Sequence, residues 1–372
     1  IQIGFLFERL VVHSPFKVVY SLAKALQLNN NFTDKYEITF ISLNYFYKIQ
    51  NIKEIIFLLN KININVLFCA DSYLEEDIYT SRLERARTAK QRITNNQIDI
   101  LIACCNSYDI LEFLFATRTA KEQIFWSHGA HFYDIPGIDK RIHHDSILKD
   151  IDTLDGFEYK LFNVPILKDK DVSLPDYQRI SLLKDKYGKD KIILGTIGRL
   201  VKLNSIEYLK VICKILSKFD NTIFLACGDG NQEEIKSKIK DINKDVLNQF
   251  YFTGFIDTNT FASIIDIIPD TFPLNQGASK AESAYFETAI VSFWNRNNLT
   301  FDDSLNQLIQ KFSLQEIIYT EDIDCYQKFI EKLIQNKDFL VFWKKRMQSI
   351  YQNVYNHNFD DKKFFQSIDI SL

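Results

Sequence analysis

Apolar residues come in short runs along this chain, and the runs alternate with stretches of helical spacing. Residues 1–7 (IQIGFLF) read as a buried strand. Ser14 and Pro15 then make an N-cap and first-turn pair, and residues 15–28 place apolar side chains at helical intervals. Residues 36–43, 65–69, 98–104 and 122–126 are further apolar runs of strand length. Helical stretches lie between them, notably residues 80–95 with their many Arg and Lys. Strands that alternate with helices predict a parallel sheet covered on both faces.

The pattern loosens over residues 149–188, which hold Pro165, Pro175 and Gly188 among many charges, and an inter-domain linker is expected there. A second alternating unit follows, with strands expected at 192–197, 222–227, 250–252 and 289–293. Its helices are expected at 205–218, 232–242, 260–267 and 279–286, and helical segments dominate from 304 onward. The expected architecture is α/β, with two Rossmann-like, doubly wound parallel-sheet domains and a cleft between them. Residues 1–180 form the first domain with its linker, 181–350 the second, and 351–372 a C-terminal helix that crosses back to the first. Ligands of such folds bind at the C-terminal ends of the strands.

Composition narrows the function classes. The 372 residues are 46% hydrophobic and include 31 Phe and 18 Tyr, enough to fill two cores. A net charge of −3 lacks the basic excess of a nucleic-acid binder but leaves room for a local cationic pocket. No apolar run reaches the ~18 residues that span a bilayer, so no transmembrane segment is expected. The six cysteines form no C-x-x-C pair, and most lie in apolar runs such as LIACC and IFLAC. They are expected as buried free thiols in a reducing compartment. With no basic segment ahead of the first strand, a cytoplasmic location is expected.

Candidate chemistry concentrates in the second half. The string GTIGRLVK, residues 195–202, follows a strand. Its glycines would let a ligand approach the backbone, and Arg199 and Lys202 would supply cations to a diphosphate leaving group. The plain alternative is a solvated Arg and Lys at a helix start, where the helix dipole disfavours them. The string DTFPLNQGASKAE, residues 270–282, opens a helix with Gly277, Ala278 and Ser279. Free N–H groups and the serine hydroxyl would cradle phosphate, and Glu282 would accept from ribose hydroxyls. The plain alternative is a capping box, with Ser279 as N-cap and Glu282 closing it. Gly228-Asp229-Gly230 is a turn signal first.

His13 and the pair His128 and His131 follow strands of the first domain and suit proton transfer near neutral pH, although a lone loop histidine is usually structural. His143 and His144, adjacent in a strand, would point to opposite faces, which argues against a metal site. Asp-x-Asp triplets at 150–152, 169–171 and 322–324 are cheap matches in a chain this rich in acids. No P-loop, G-x-S-x-G or H-E-x-x-H pattern occurs.

At these residues the chain resembles nucleotide-sugar glycosyltransferases of the GT-B fold. It is most similar to the O-linked N-acetylglucosamine transferase family and the related bacterial adhesin N-glucosyltransferases. IQIGFLFERLVVH resembles the family's opening strand and loop, with His13 at the place of its histidine. AKEQIFWSHGAHFYDIPGIDKRIHHD resembles a further block of that domain. GRLVKLN matches the segment with the phosphate-binding lysine, here Lys202. FTGFIDTNTF is similar to the loop that cups uracil, which implies Phe255 and Ile256. DTFPLNQGASKAE resembles the phosphate loop, whose acidic residue holds ribose, here Glu282. Two departures stand out: the family's His-Thr-Thr triplet reads Gly277-Ala278-Ser279, and its superhelical repeats are absent. GRL with its following lysine, the GDG turn and Glu282 are also similar to the large retaining family of the same fold. That family's lysine falls two residues after Lys202, and its first glutamate would fall at Leu274.

The resemblance implies a metal-independent hexosyltransferase with no cofactor, working in bacterial protein glycosylation. It would move a hexose or N-acetylhexosamine from a UDP-sugar to a protein or glycan acceptor, with the first domain on the acceptor side. In an inverting reaction His13 would take or share the acceptor's proton, or else orient the acceptor. In a retaining one, on a glycan or lipid-linked acceptor, His128 gains importance. A UDP-sugar epimerase or hydrolase and an inactive partner subunit are the alternatives from other classes.

Overall fold

The computed structural model describes residues 1–12, 14–43, 52–69, 81–104, 109–128, 134–144, 151–154, 156–164, 176–293, 319–320, 322–356 and 361–369. His13, His131, Cys105, Pro165, Pro175, the Asp-x-Asp triplet at 169–171 and the expected helical stretch at 304–318 lie outside the described residues. The chain divides into two units, Ile1–Lys168 with Asn358–Leu372, and Asp169–His357.

In the first unit the elements run β1 (Gln2–Phe7), α1 (Ser14–Gln27), α2 (Asn30–Thr33), β2 (Glu37–Ser42), α3 (Ile52–Asn60), β3 (Asn65–Phe68), α4 (Arg82–Asn95), β4 (Ile100–Ala103), α5 (Asp109–Ala116), β5 (Glu122–Ser127), β6 (Lys140–His144), β7 (Ile151–Leu154) and β8 (Phe157–Phe162). The strands pair in the order β3-β2-β1-β4-β5-β6-β8-β7, parallel except for β7 against β8. The apolar runs become strands because both faces are covered, which rewards unbroken apolar sequence. Phe40 at the centre touches Phe5, Phe7 and Phe16 with ring centroids 5.2–6.1 Å apart. The charged stretch folds as α4 behind a complete capping box, Ser81 with Glu84, and buries only Ala86, Ala89 and Ile93.

The second unit continues with α6 (Tyr177–Tyr187), β9 (Ile192–Ile197), α7 (Ile206–Lys218), β10 (Thr222–Cys227), α8 (Gln232–Asn243), β11 (Phe250–Gly254), α9 (Thr258–Ala262), β12 (Ile267–Pro269), α10 (Ala278–Tyr285), β13 (Ala289–Phe293), β14 (Tyr319–Thr320), α11 (Ile323–Gln335) and α12 (Lys337–Asn356). Its parallel sheet has the order β11-β10-β9-β12-β13-β14. Side-chain oxygens of Asp176, Ser205, Asn231 and Asp257 cap four of these helices. Gly195 lies inside β9, where an added Cβ would stand 2.8 Å from Ile265 Cδ1 and 3.0 Å from the Leu225 carbonyl. Its glycine therefore serves close packing and not, as the motif suggested, ligand approach.

The last helix, α13 (Asp361–Ser367), belongs with the first unit. Phe364 packs on Phe162 and Phe365 stacks on Phe32, with centroids 5.2 and 5.7 Å apart. Lys140 donates to the Ile368 carbonyl, and Lys160 pairs with Asp369 at 2.7 Å.

The structure differs from the sequence reading in three places. The helix expected at 260–267 stops at Ala262, and Ile267–Pro269 is strand β12, lying between β9 and β13. The boundary between the units, at Lys168 and Asp169, falls inside the expected linker at 149–188, but that stretch also contains β7, β8 and α6. Of β6 only the end at His143 and His144 was read as strand, because Lys140–His144 carries one buried apolar residue, Ile142.

Candidate active site

In the second sheet β9 is flanked by β10, reached in one direction, and β12, reached in the other. The chain therefore reverses its winding between β9 and β12, and ligands of doubly wound sheets bind where this happens, beyond the strand C-termini. Both second-half motifs leave from these two strands.

After Ile197 the backbone turns at Gly198, whose N–H donates to the Cys227 carbonyl at 2.9 Å. Leu200 N–H donates to the Asp229 carbonyl, also at 2.9 Å. An added Cβ on Gly228 would stand 1.9 Å from the Gly198 carbonyl oxygen. The GDG turn is thus a place where two loops touch. A 3-10 turn, Leu200–Leu203, follows and buries Leu200 and Leu203 while carrying Lys202. The Lys202 ammonium is half-buried and donates to the Asn275 carbonyl at 2.8 Å. Burial pushes its pKa below the usual 10.5; Arg199 and Lys280 push the same way, and Asp270 opposes them. Arg199 is exposed beside it.

The facing loop is tied by Asp270, which is 1% exposed. Its carboxylate accepts from Gln276 N–H at 2.8 Å, from the Lys280 ammonium at 2.6 Å and from Ser292 Oγ at 3.3 Å. Buried Tyr208 and Tyr326 hold the same stretch from the other side, donating to the carbonyls of Pro269 and Asp270 at 2.8 and 2.9 Å. Burial raises both phenols well above the ordinary tyrosine pKa. The loop is therefore closed on itself before any ligand arrives.

Helix α10 begins at Ala278, with Gly277 as N-cap and no side-chain capping bond. The capping-box alternative does not form. Ser279 sits inside the helix, and its hydroxyl donates to the Ile197 carbonyl at 2.8 Å. That bond also takes up the hydroxyl hydrogen expected for a phosphate. Backbone N–H groups of the first turn are what the helix start presents. Glu282 is half-buried one turn further on. Phe255, just beyond β11, is 75% exposed, while Ile256 packs against the unit's core. Arg199, Lys202, Gly277, Ala278 and Ser279 thus gather at the winding reversal, and Asp270, Gln276 and Lys280 join them. The last three stood in the same string but went unread, since loop contacts across six and ten residues leave no periodic trace.

In the first unit β5 ends at Ser127, and His128 follows, half-buried. Its ring lies 4.6 Å from Trp126 and 4.9 Å from His144, centroid to centroid. Trp126 Nε1 donates to His144 Nδ1 at 3.0 Å, and His143 Nδ1 lies 3.0 Å from the Ser127 carbonyl. An indole N–H only donates and a carbonyl only accepts, so His144 carries no proton on Nδ1 and His143 carries one. The register of β5 against β6, Ser127 with His143, gathers these rings. The rings of His143 and His144 are 5.4 Å apart, centroid to centroid. Among the described residues no group of three or more His, Cys, Asp or Glu is placed to hold a metal ion. Nor is any helix there long and apolar enough to cross a membrane.

Among the described residues the cysteines follow their runs with one exception. Cys69, Cys104, Cys213 and Cys227 are buried free thiols, and burial pushes Cys69, Cys213 and Cys227 up to about 12. Cys325 is exposed, in the first turn of α11, where no strand covers it.

No protein-family profile matches the chain, and neither does any curated protein sequence. Solved structures do. A mutant of the Thermobaculum terrenum O-GlcNAc transferase is 15% identical, with a TM-score of 0.65 over 99% of this chain, which spans 66% of that protein's length. Staphylococcus aureus TarM, solved with fondaparinux, alpha-GlcNAc-glycerol and UDP, is 10% identical, with a TM-score of 0.65 over 99% of this chain and 100% of its own. Anabaena Alr3699/HepE, solved with UDP and glucose, is 11% identical, with a TM-score of 0.61 over 95% of both chains. Two parallel-sheet α/β units in one chain, alike throughout to such proteins, give this protein the GT-B fold of nucleotide-sugar glycosyltransferases.

Proposed function

We propose that the chain is a UDP-sugar-dependent hexosyltransferase whose second unit binds the donor's diphosphate. The observation that carries this reading is the cationic, uncapped corner where β9 and β12 end. Lys202 is held half-buried on the Asn275 carbonyl, Arg199 and Lys280 stand near it, and α10 starts without a side-chain cap. Cations and free N–H groups at one place suit an anion whose charge grows during the reaction. Two proteins of like fold were solved with UDP, which supports the choice of donor.

In this reading the bond from the sugar's C1 to the diphosphate oxygen breaks, and its electron pair stays on the diphosphate. Lys202, Arg199 and the first-turn N–H groups of α10, at Gly277, Ala278 and Ser279, offset that charge, so no metal ion is required. The acceptor's oxygen forms the new bond to C1, and its proton passes to a histidine, His13 or His128. Phe255 and Ile256 hold the uracil, and Glu282 accepts from the ribose hydroxyls. The acceptor is a protein or glycan, and the setting is the bacterial cytoplasm, which buried free thiols fit.

A screen of UDP-sugars for hydrolysis and transfer, followed by NMR of the product's anomeric proton, tests the reading. Donor consumed without any acceptor product would replace transfer by hydrolysis or isomerisation. Lys202→Ala is expected to lower turnover ~100- to 1,000-fold, the usual cost of one transition-state charge contact. Turnover near wild type in that variant would remove Lys202 from the phosphate site.

A further inference from the structure

We propose that the side-chain carboxamide of Gln276 is a further donor to the diphosphate, a binding residue that its neighbours in the loop hold in readiness. This rests on the reading of the second unit as a UDP site and adds to it a residue the motif did not single out. Gln276 is 1% exposed. Its Oε1 accepts the Ile197 N–H at 2.9 Å. That bond fixes which end of the amide is which, because a backbone N–H requires an acceptor. The other end, Nε2, is buried and has no hydrogen-bond partner in the protein. An amide nitrogen buried with its hydrogens unmet is costly, and no bond within the protein offsets that cost.

The surroundings say what is missing. The nearby buried acceptor, the Asp270 carboxylate, is already taken by Gln276 N–H, Lys280 and Ser292. The Asn275 carbonyl, one residue back, holds Lys202. Ser279, in the first turn of α10, donates to the carbonyl of the same Ile197 whose N–H Gln276 accepts. The free amide is therefore pinned between the end of β9 and the uncapped start of α10, which follows it after Gly277. Donors and cations outnumber acceptors here, so the ligand that completes the set is itself an acceptor and carries negative charge. Phosphate oxygens of a nucleoside diphosphate meet both conditions, whereas a neutral sugar hydroxyl meets only the first.

Binding of UDP, uridine and inorganic pyrophosphate to the full chain, measured by calorimetry, tests the assignment with two variants. Gln276→Glu keeps an oxygen for the Ile197 N–H and replaces the amide nitrogen with an acceptor. Gln276→Met keeps the volume and removes the amide. Both are expected to bind UDP and pyrophosphate about tenfold or more weakly while holding uridine within about twofold, as the loss of a charge-assisted bond implies. Thermal melting shows which variants fold, and either one suffices for the decision. Wild-type affinity for UDP in a folded variant, or an equal loss of uridine, overturns the role of Gln276 and leaves the UDP reading intact. If the wild-type chain binds pyrophosphate but not UDP, the UDP reading fails, and a loss of pyrophosphate in the variants still upholds Gln276. A wild-type chain that binds neither overturns both.

Discussion

A single methyl group separates the two kinds of glycine in this chain. Gly228 has φ +148°, and an added Cβ would meet the Gly198 carbonyl oxygen at 1.9 Å, backbone against backbone, with no flexible side chain to yield. Gly156 has φ +83° and nothing within 4 Å. Gly228→Ala is therefore expected to cost about 3 kcal/mol or more, and Gly156→Ala only the ~1–2 kcal/mol of left-handed backbone. Urea unfolding of the two variants gives the comparison. The pKa of Lys202, lowered first by burial, sets a pH dependence. An anion binds the ammonium and not the amine. UDP affinity should thus begin to fall with rising pH at a value below 10.5, where an unburied lysine would still hold its proton. Stability runs the other way. The unfolded chain binds more protons between the lowered pKa and 10.5, so folding gains as pH rises through that window. Calorimetric UDP titrations over that range should show the affinity loss in wild type and not in Lys202→Met. The position of Lys202 was legible because a short string after a strand fixes it. Asp270 and Lys280 were not legible as a pair, because only the folded loop brings them within 2.6 Å.

The elements that were legible are those whose sequence meets both a period and a stop signal. α7 and α8 begin behind Ser205 and Asn231, and β9, β10 and β13 are mostly apolar runs without a charge. β12 failed this test at three residues, too short for any periodicity, and its Ile267 and Ile268 follow Ile264 at helical spacing. Only pairing with β9 and β13 makes Ile267–Pro269 a strand. β8 went unread because Glu158 and Lys160 interrupt its apolar residues, although Tyr159, Leu161 and Phe162 are buried. The site depends on one element end. α10 starts at a glycine with φ −94° and open space around its missing Cβ. In Gly277→Asp the new carboxylate would take the same first-turn N–H groups that the proposal gives to phosphate. Stability is read separately, because ψ at Gly277 is −124° and not the extended value of the other caps. UDP affinity should fall about tenfold or more, since a fixed negative charge then occupies the anion's place. Melting and calorimetry on one preparation separate the two effects, and unchanged UDP affinity would move the phosphate away from this helix.

At the scale of the whole chain, alternating runs were enough to read two doubly wound units, because strand–helix alternation leaves a parallel sheet few other solutions. The C-terminus was expected to cross back from residue 351, but the point at which it does so depends on contacts that no local pattern encodes. α12 remains with the second unit, where Trp343 donates to the Ile290 carbonyl at 3.0 Å, and the chain then returns to the first unit at Asn358. There Phe364, Phe365 and Ile368 are buried, and Lys140 and Lys160 hold Asp369. Three buried apolar side chains stabilise by roughly 1.5–3 kcal/mol each, so together they rival the stability of an ordinary domain. A chain that stops after His357 should therefore lose much of the first unit's stability while the second keeps every contact described for it. Calorimetric melting with and without UDP assigns the transitions, because a ligand raises the melting temperature of the unit that binds it. The UDP-sensitive transition is expected to stay where it is on truncation, and the UDP-insensitive one to fall steeply or vanish. Should both fall together, the two units do not unfold as separate bodies, and the last fifteen residues support the whole chain and not one half of it.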